Sequence, residues 1–143
     1  MTAAATGDFT MRREVAETLG GRDVLLVDTI AHLSPEDGGA IVMTGSHGGI
    51  SSGEYAARAP IAIVFFNDAG GGKDRAGTAA LGYLAERRIA AGTVSHDSAL
   101  IGDSRETWEF GVISGLNEPA QAAGFAIGEP VRPAARRVFG AAP

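Results

Sequence analysis

Two stretches of this chain, Val24–Val27 (VLLV) and Ile61–Phe66 (IAIVFF), are continuously apolar over the length of a β-strand. A strand with one wet face alternates apolar and polar residues. Continuous apolarity therefore predicts burial on both faces, in a parallel sheet covered by helices. Ala40–Thr44 reads the same way, and Ala91–Ser95 more weakly. The stretches between them read as helices. Ser52–Arg58 is short, and Asp74–Arg88 places Ala76, Ala80, Tyr83 and Leu84 on one face. Asp103 and Glu106 form a capping-box pattern ahead of Trp108, Val112, Ile113 and Leu116, which predicts a helix over 103–116. Asn117 before Glu118–Pro119 predicts the cap of a further short helix. At the start, the spacing Met11, Val15, Leu19 predicts a short helix stopped by Gly20–Gly21. Phe125–Val131 reads as a last edge element, and Arg132–Arg137 as a basic tail.

The expectation is an α/β fold. Residues 11–143 form a single three-layer domain with a mainly parallel sheet of four to five strands. Residues 1–10, small and polar, are expected to be disordered. A chain of 143 residues is too short for two ordinary cores, and 45% apolar against 20% charged residues places it in the globular class. Seventeen acidic residues against twelve basic ones give −5, which argues against a nucleic-acid partner. With no cysteine, disulfides, thiolate metal sites and thiol nucleophiles are excluded. No apolar run is long enough to span a membrane, and no leader pattern is read at the N-terminus. A cytoplasmic protein with no membrane partner is expected.

In open parallel sheets, ligands bind beyond the carboxyl ends of the strands, at the reversal in strand order. The segments leaving those ends here are TGSHGGISSG, NDAGGGKDRAG and SHDSALIGDS. They hold nearly all the polar residues suited to chemistry. In the second segment Gly70, Gly71 and Gly72 let the backbone approach a ligand, and Asn67 and Asp68 precede them. Lys73 is the one lysine against eleven arginines, so its amine itself is expected to matter, as a compact charge, a base or a nucleophile. A Walker A loop would need glycine at Asn67 and a hydroxyl at Asp74, and a G-x-G-x-x-G starting at Gly70 ends on Arg75. Neither ATP nor NAD is supported.

Ser46 and His47 stand between glycines, with Gly48 and Gly49 following. An imidazole there suits proton transfer, metal ligation or phosphoryl acceptance. Ser95, His96, Asp97 and Ser98 repeat the Ser-His pairing after another strand, and Asp97 or Asp68 can orient a ring. His32 reads as a helix-face or core histidine, and Asp103 and Glu106 as caps. His47, His96, Asp68 and Asp97 are the right types for zinc or manganese. No helical or H-x-H spacing ties two of them together, so no cofactor is assigned and a divalent metal stays possible.

These residues predict an enzyme acting on a small polar or anionic metabolite, first a hydrolase of amide, imide or ester-like bonds. Ser46, His47, Lys73, His96 and Asp97 are its catalytic candidates. Ser46 is the first nucleophile, with Ser95 or Ser98 second, and Lys73 or a histidine is the base. Gly48, Gly49, Asn67, Asp68, Gly70, Gly71, Gly72, Ser95 and Ser98 are its binding candidates. A lyase or isomerase with Lys73 or His96 as proton shuttle uses the same groups. Over about six residues, TGSHGG also resembles the strand–(Ser/Thr)-His-Gly–helix entry of mannose-type phosphotransferase carrier domains. That family opens at this strand, whereas about forty residues precede it here. The resemblance implies a phosphoryl carrier with His47 as acceptor. A modest core in an enzyme this small predicts a homo-oligomer, with helix 103–116 as the interface.

Overall fold

A computed structural model describes residues 11–70 and 78–140. It is a mixed α/β fold with one six-stranded sheet. The strands are β1 (Arg13–Leu19), β2 (Arg22–Val27), β3 (Ile41–His47), β4 (Ile63–Asn67), β5 (Ala90–Val94) and β6 (Ile113–Leu116). Among the described residues the helices are α1 (Ile50–Ala56), α2 (Ala79–Ala85), α3 (Ser104–Phe110), α4 (Glu118–Ala123) and α5 (Val131–Phe139). Two 3₁₀ turns, Ile30–His32 and Pro35–Asp37, join β2 to β3. None of the helices is long and apolar enough to cross a membrane.

The apolar runs form the centre. β2, β3, β4 and β5 pair in parallel, and the buried residues of β2–β4 alternate between two clusters. Val24, Leu26, Ile41, Met43, Ile63 and Phe65 join Trp108, Phe125 and Val131. Leu25, Val27, Val42, Val64 and Phe66 join Ile30, Ala56, Ala80 and Leu84. Alternate strand residues face opposite ways, so a run that is apolar throughout supplies both clusters.

The sheet is nonetheless mixed rather than mainly parallel, because both outer strands are antiparallel to their neighbours. Sequence reasoning missed both. Residues 13–19 are β1, not a helix. The four-residue spacing of Met11, Val15 and Leu19 is also a multiple of two, so it satisfies a strand equally well. Gly20 and Gly21, at φ +57° and +83°, make the two-residue hairpin turn that L-residues with side chains resist. The helix predicted over 103–116 ends at Phe110. A Cβ on Gly111 would lie 2.4 Å from the Thr107 carbonyl oxygen, and the β-branched Val112–Ile113 pair begins the run into β6. The expected edge element at 125–131 is a loop with one bridge, Val112–Pro130. The basic tail is helix α5, with Val131, Ala134 and Ala135 buried and Arg136 and Arg137 exposed. Residues 1–10, and the part of the predicted 74–88 helix before residue 78, lie outside the described residues.

Both predicted caps are present. The Asp103 carboxylate accepts from Glu106 N–H at 3.1 Å, and Asn117 Oδ1 accepts from Ala120 N–H at 3.1 Å. The Glu106 side chain accepts from Leu100 N–H at 2.8 Å instead of completing a box with Asp103.

Candidate functional site

The strand order, β1-β2-β3-β4-β5-β6, never reverses, so the sheet has no switch point of the kind sequence reasoning invoked. What remains is the carboxyl end of the four parallel strands, where their loops lie side by side. His47 ends β3 and is the register partner of Asn67, which ends β4 and is itself opposite Val94. Asp68 follows Asn67, and His96 follows β5. His47 therefore ends one neighbour of β4, and His96 stands two residues past the end of the other.

Asp68 is tied to three separate segments there. Its Oδ1 accepts from the Gly70 N–H at 2.8 Å and from the His96 N–H at 3.1 Å, and lies 3.3 Å from His96 Nδ1. Its Oδ2 accepts from the Ser114 hydroxyl at 2.7 Å. Burial pushes the Asp68 carboxyl up. The hydrogen bonds from Ser114, Gly70 and His96 outweigh it and hold the group below the usual carboxylate range. Asn67 shapes the turn. Wholly buried, it donates to the Ala99 carbonyl at 2.9 Å and accepts from Ala69 N–H at 2.8 Å. That turn holds Ala69 at φ +52°, a left-handed conformation rare outside glycine, and Gly70 at +76°.

The His96 ring is half exposed, and Asp97 Oδ1 lies 3.3 Å from its Nε2 without a hydrogen bond. His47 is exposed, and no hydrogen bond reaches its ring among the described residues. His32 is exposed in the first 3₁₀ turn rather than in the core or on an α-helix face. The serines carry local structure. Ser46 Oγ accepts from Ile30 N–H at 3.0 Å, and Ser95 Oγ accepts from Asp97 N–H at 3.1 Å. Ser98 Oγ donates to the Ser95 carbonyl at 2.7 Å and accepts from Val112 N–H at 2.9 Å. Gly48 N–H donates to the Asn67 carbonyl, and Gly49 is the N-cap residue of α1. Gly71, Gly72 and Lys73 lie outside the described residues.

Sequence reasoning passed over a second carboxylate at the same end of the sheet. Asp28, directly after β2, accepts from Arg12 N–H at 2.8 Å, Arg12 Nη1 at 3.2 Å, Ser104 N–H at 3.0 Å and Ser104 Oγ at 2.7 Å. Burial pushes Asp28 up, and the Ser104 and Arg12 contacts more than reverse that. The available signal was positional, since VLLVD ends as IVFFND does, with an acid after a buried strand. Ser114 and Thr93 were also passed over, because hydroxyls inside strands carry no motif. A cavity of about 270 Å³ opens at the opposite, amino end of β2 and β3, lined by Arg13, Arg22, Asp23 and Asp37 among others, none of them a candidate. Among the described residues no three His, Asp or Glu side chains are grouped to hold a metal. No family model, no curated protein and no solved structure matches this chain.

Proposed function

We propose that this chain is a small-molecule hydrolase cleaving amide, imide or ester-like bonds of a small polar or anionic metabolite, with His96 as general base. The supporting observation is the Asp68–His96 pair. A carboxylate fixed by its loop and by β6 faces Nδ1 at 3.3 Å, while Nε2 has only the 85% exposed Asp97 carboxylate beside it, which solvent screens and a substrate can displace. A carboxylate on Nδ1–H stabilises the imidazolium that forms when Nε2 takes a proton, and this arrangement is the working part of hydrolytic triads. Among the described residues no serine hydroxyl bonds to either histidine ring, and Ser46, Ser95 and Ser98 each hold a backbone N–H. The nucleophile in this reading is therefore water, deprotonated by His96 as it attacks the carbonyl, and the imidazolium returns that proton to the departing nitrogen or oxygen as the bond to carbon breaks. His47, one strand beyond β4, faces the same end and supplies a second polar contact to the substrate.

The same pair serves a lyase or isomerase, because it moves a proton without needing a nucleophile. The carrier reading rests on His47, whose ring is exposed and unpartnered among the described residues. Phosphate transfer to the wild type but not to His47→Ala would favour it. We place the protein in the cytoplasm as a homo-oligomer, with the exposed Phe110 at the end of α3 in the interface.

A panel of small amides, cyclic imides, lactones and esters tests the reading. Removing a participating base or its carboxylate costs about a hundredfold or more in kcat/KM. His96→Ala and Asp68→Asn are expected to fall that far with the fold intact. Turnover by both variants within about threefold of wild type, well below that loss, would remove the pair from the chemistry.

A further inference from the structure

We infer that Thr93 and Ser114 form a directed hydroxyl relay that fixes the orientation of Asp68, and through it the Nδ1–H tautomer of His96. The catalytic meaning of this relay rests on the reading of His96 as a base; its geometry does not.

The direction follows from counting protons. Ser114 Oγ lies 2.7 Å from Asp68 Oδ2, and an ionised carboxylate can only accept, so Ser114 donates its single proton there. Thr93 Oγ1 lies 3.0 Å from Ser114 Oγ. With the Ser114 proton committed, Thr93 must be the donor in that contact. The relay therefore runs Thr93 to Ser114 to Asp68, each bond polarising the next.

Its construction is specific. Ser114 sits on β6, which is not adjacent to β4, yet it reaches a residue at the end of β4. The register shows how. Thr93 pairs with Gly115 and Val94 with Ile113, which leaves Ser114 as the extra residue of a bulge. A bulge re-aims a side chain that regular pairing would direct elsewhere. Thr93 is fully buried, and a Cβ on Gly115 would lie 2.8 Å from its hydroxyl oxygen. The residue opposite Thr93 thus has to be small for that hydroxyl to keep its place. With Oδ2 occupied from β6, Oδ1 is the oxygen turned to the Gly70 and His96 N–H groups and to the ring. Asp97 Oδ1 also lies 3.3 Å from Nε2, but that carboxylate is 85% exposed and screened, whereas Asp68 is 15% exposed and held in place, so the Nδ1 contact sets which ring nitrogen carries the proton. Thr93 and Ser114 are positioning residues in this account.

Imidazole ¹⁵N shifts read the tautomer directly at a pH where the ring is neutral, with His96 assigned by comparison with His96→Gln. Wild type is expected to carry the proton mainly on Nδ1. In Ser114→Ala the Nδ1–H to Nε2–H ratio falls about fivefold or more, the loss of one ordinary hydrogen bond's worth of preference. Thr93→Val, which keeps the volume, moves it the same way by less, and Ser114→Thr retains the wild-type ratio. His32 and His47 stay unchanged throughout. A proton on Nε2 in wild type, or a Ser114→Ala ratio within about twofold of wild type, overturns the relay. The tautomer shift in a protein that hydrolyses nothing would leave the relay standing and remove the function proposed above. Hydrolysis with an unmoved tautomer would do the reverse.

Discussion

Replacing Asp28 with asparagine isolates what one strand-end carboxylate contributes to the fold. The side chain is 13% exposed and accepts four hydrogen bonds, three at Oδ1 and one, from Arg12 N–H, at Oδ2. An asparagine amide can keep its oxygen toward Ser104, but its NH₂ then faces the Arg12 N–H. That bond, made to a charged acceptor, contributes about 1.5–3 kcal/mol. The Arg12 guanidinium keeps Glu14 at 2.8 Å and Asp103 at 3.1 Å. Its loss of Asp28 therefore adds under about 1 kcal/mol. The expected destabilisation is about 2–3 kcal/mol. Urea unfolding can be followed by the single tryptophan, Trp108, which is buried on α3 near Ser104. At a slope near 2 kcal/mol/M the midpoint falls by about 1–1.5 M. The pH dependence carries its own sign. The folded carboxyl lies below its ordinary value, so the unfolded chain binds the proton first as the solution is acidified. The wild-type advantage is complete above the ordinary aspartate value of about 3.9 and disappears as pH falls through the depressed folded one. A midpoint change under about 0.25 M at pH 7, or a gap that widens in acid, would refute this account.

Gly45→Ala should be among the most damaging single changes, because its Cβ would lie 2.3 Å from the Gly102 carbonyl carbon and 2.4 Å from Asp103 N. Neither is a side chain that can move aside, so a loss of about 3 kcal/mol or more in urea titration is expected. Gly20→Ala and Gly21→Ala share positive φ, but only the first meets another segment, at 2.3 Å from the Phe139 carbonyl oxygen. The first should lower the melting temperature more, and equal losses would mean that the hairpin does not need its contact with α5. Asp68 is also held below its ordinary value, so Asp68→Asn should narrow its stability gap to wild type in acid, as is expected of Asp28→Asn. Phe110→Asp should give monomers by light scattering if Phe110 is in the interface, and an unchanged particle mass would exclude it.

What could be read from the residues tracks how local the determining physics is. The four parallel strands are legible because burial on both faces leaves no room for polar residues in VLLV or IVFF. The caps at Asp103 and Asn117 are legible because a cap is made within four residues. β1 is not, because an edge strand wets most of its side chains, and its spacing of four serves helix and strand alike. β6 was hidden for a related reason, since Trp108 and Val112 keep a helical interval across the point where Gly111 ends α3. At the site, His47, Asp68 and His96 stood out by residue type after a strand. Asp28 needed its partners, Arg12 and Ser104, to be distinguished from any other acid, and those lie 16 and 76 residues away. The bulge that sends Ser114 to Asp68 is a property of register, which no single segment encodes.

The unbroken strand order also governs how the sheet can be assembled. Every strand pairs only with its predecessor and successor in sequence, so each pairing closes the loop of a single connection. The entropy of closing a loop grows only logarithmically with its length, about 0.6 kcal/mol per doubling. No pairing here has to wait for a distant strand, as it would in a sheet whose order reverses. The hairpin of β1 and β2 offers the shortest closure, across two glycines. The loop carrying Asp68 takes its partners from just past β5 and from β6, so the candidate site needs the last three strands of the sheet in place together.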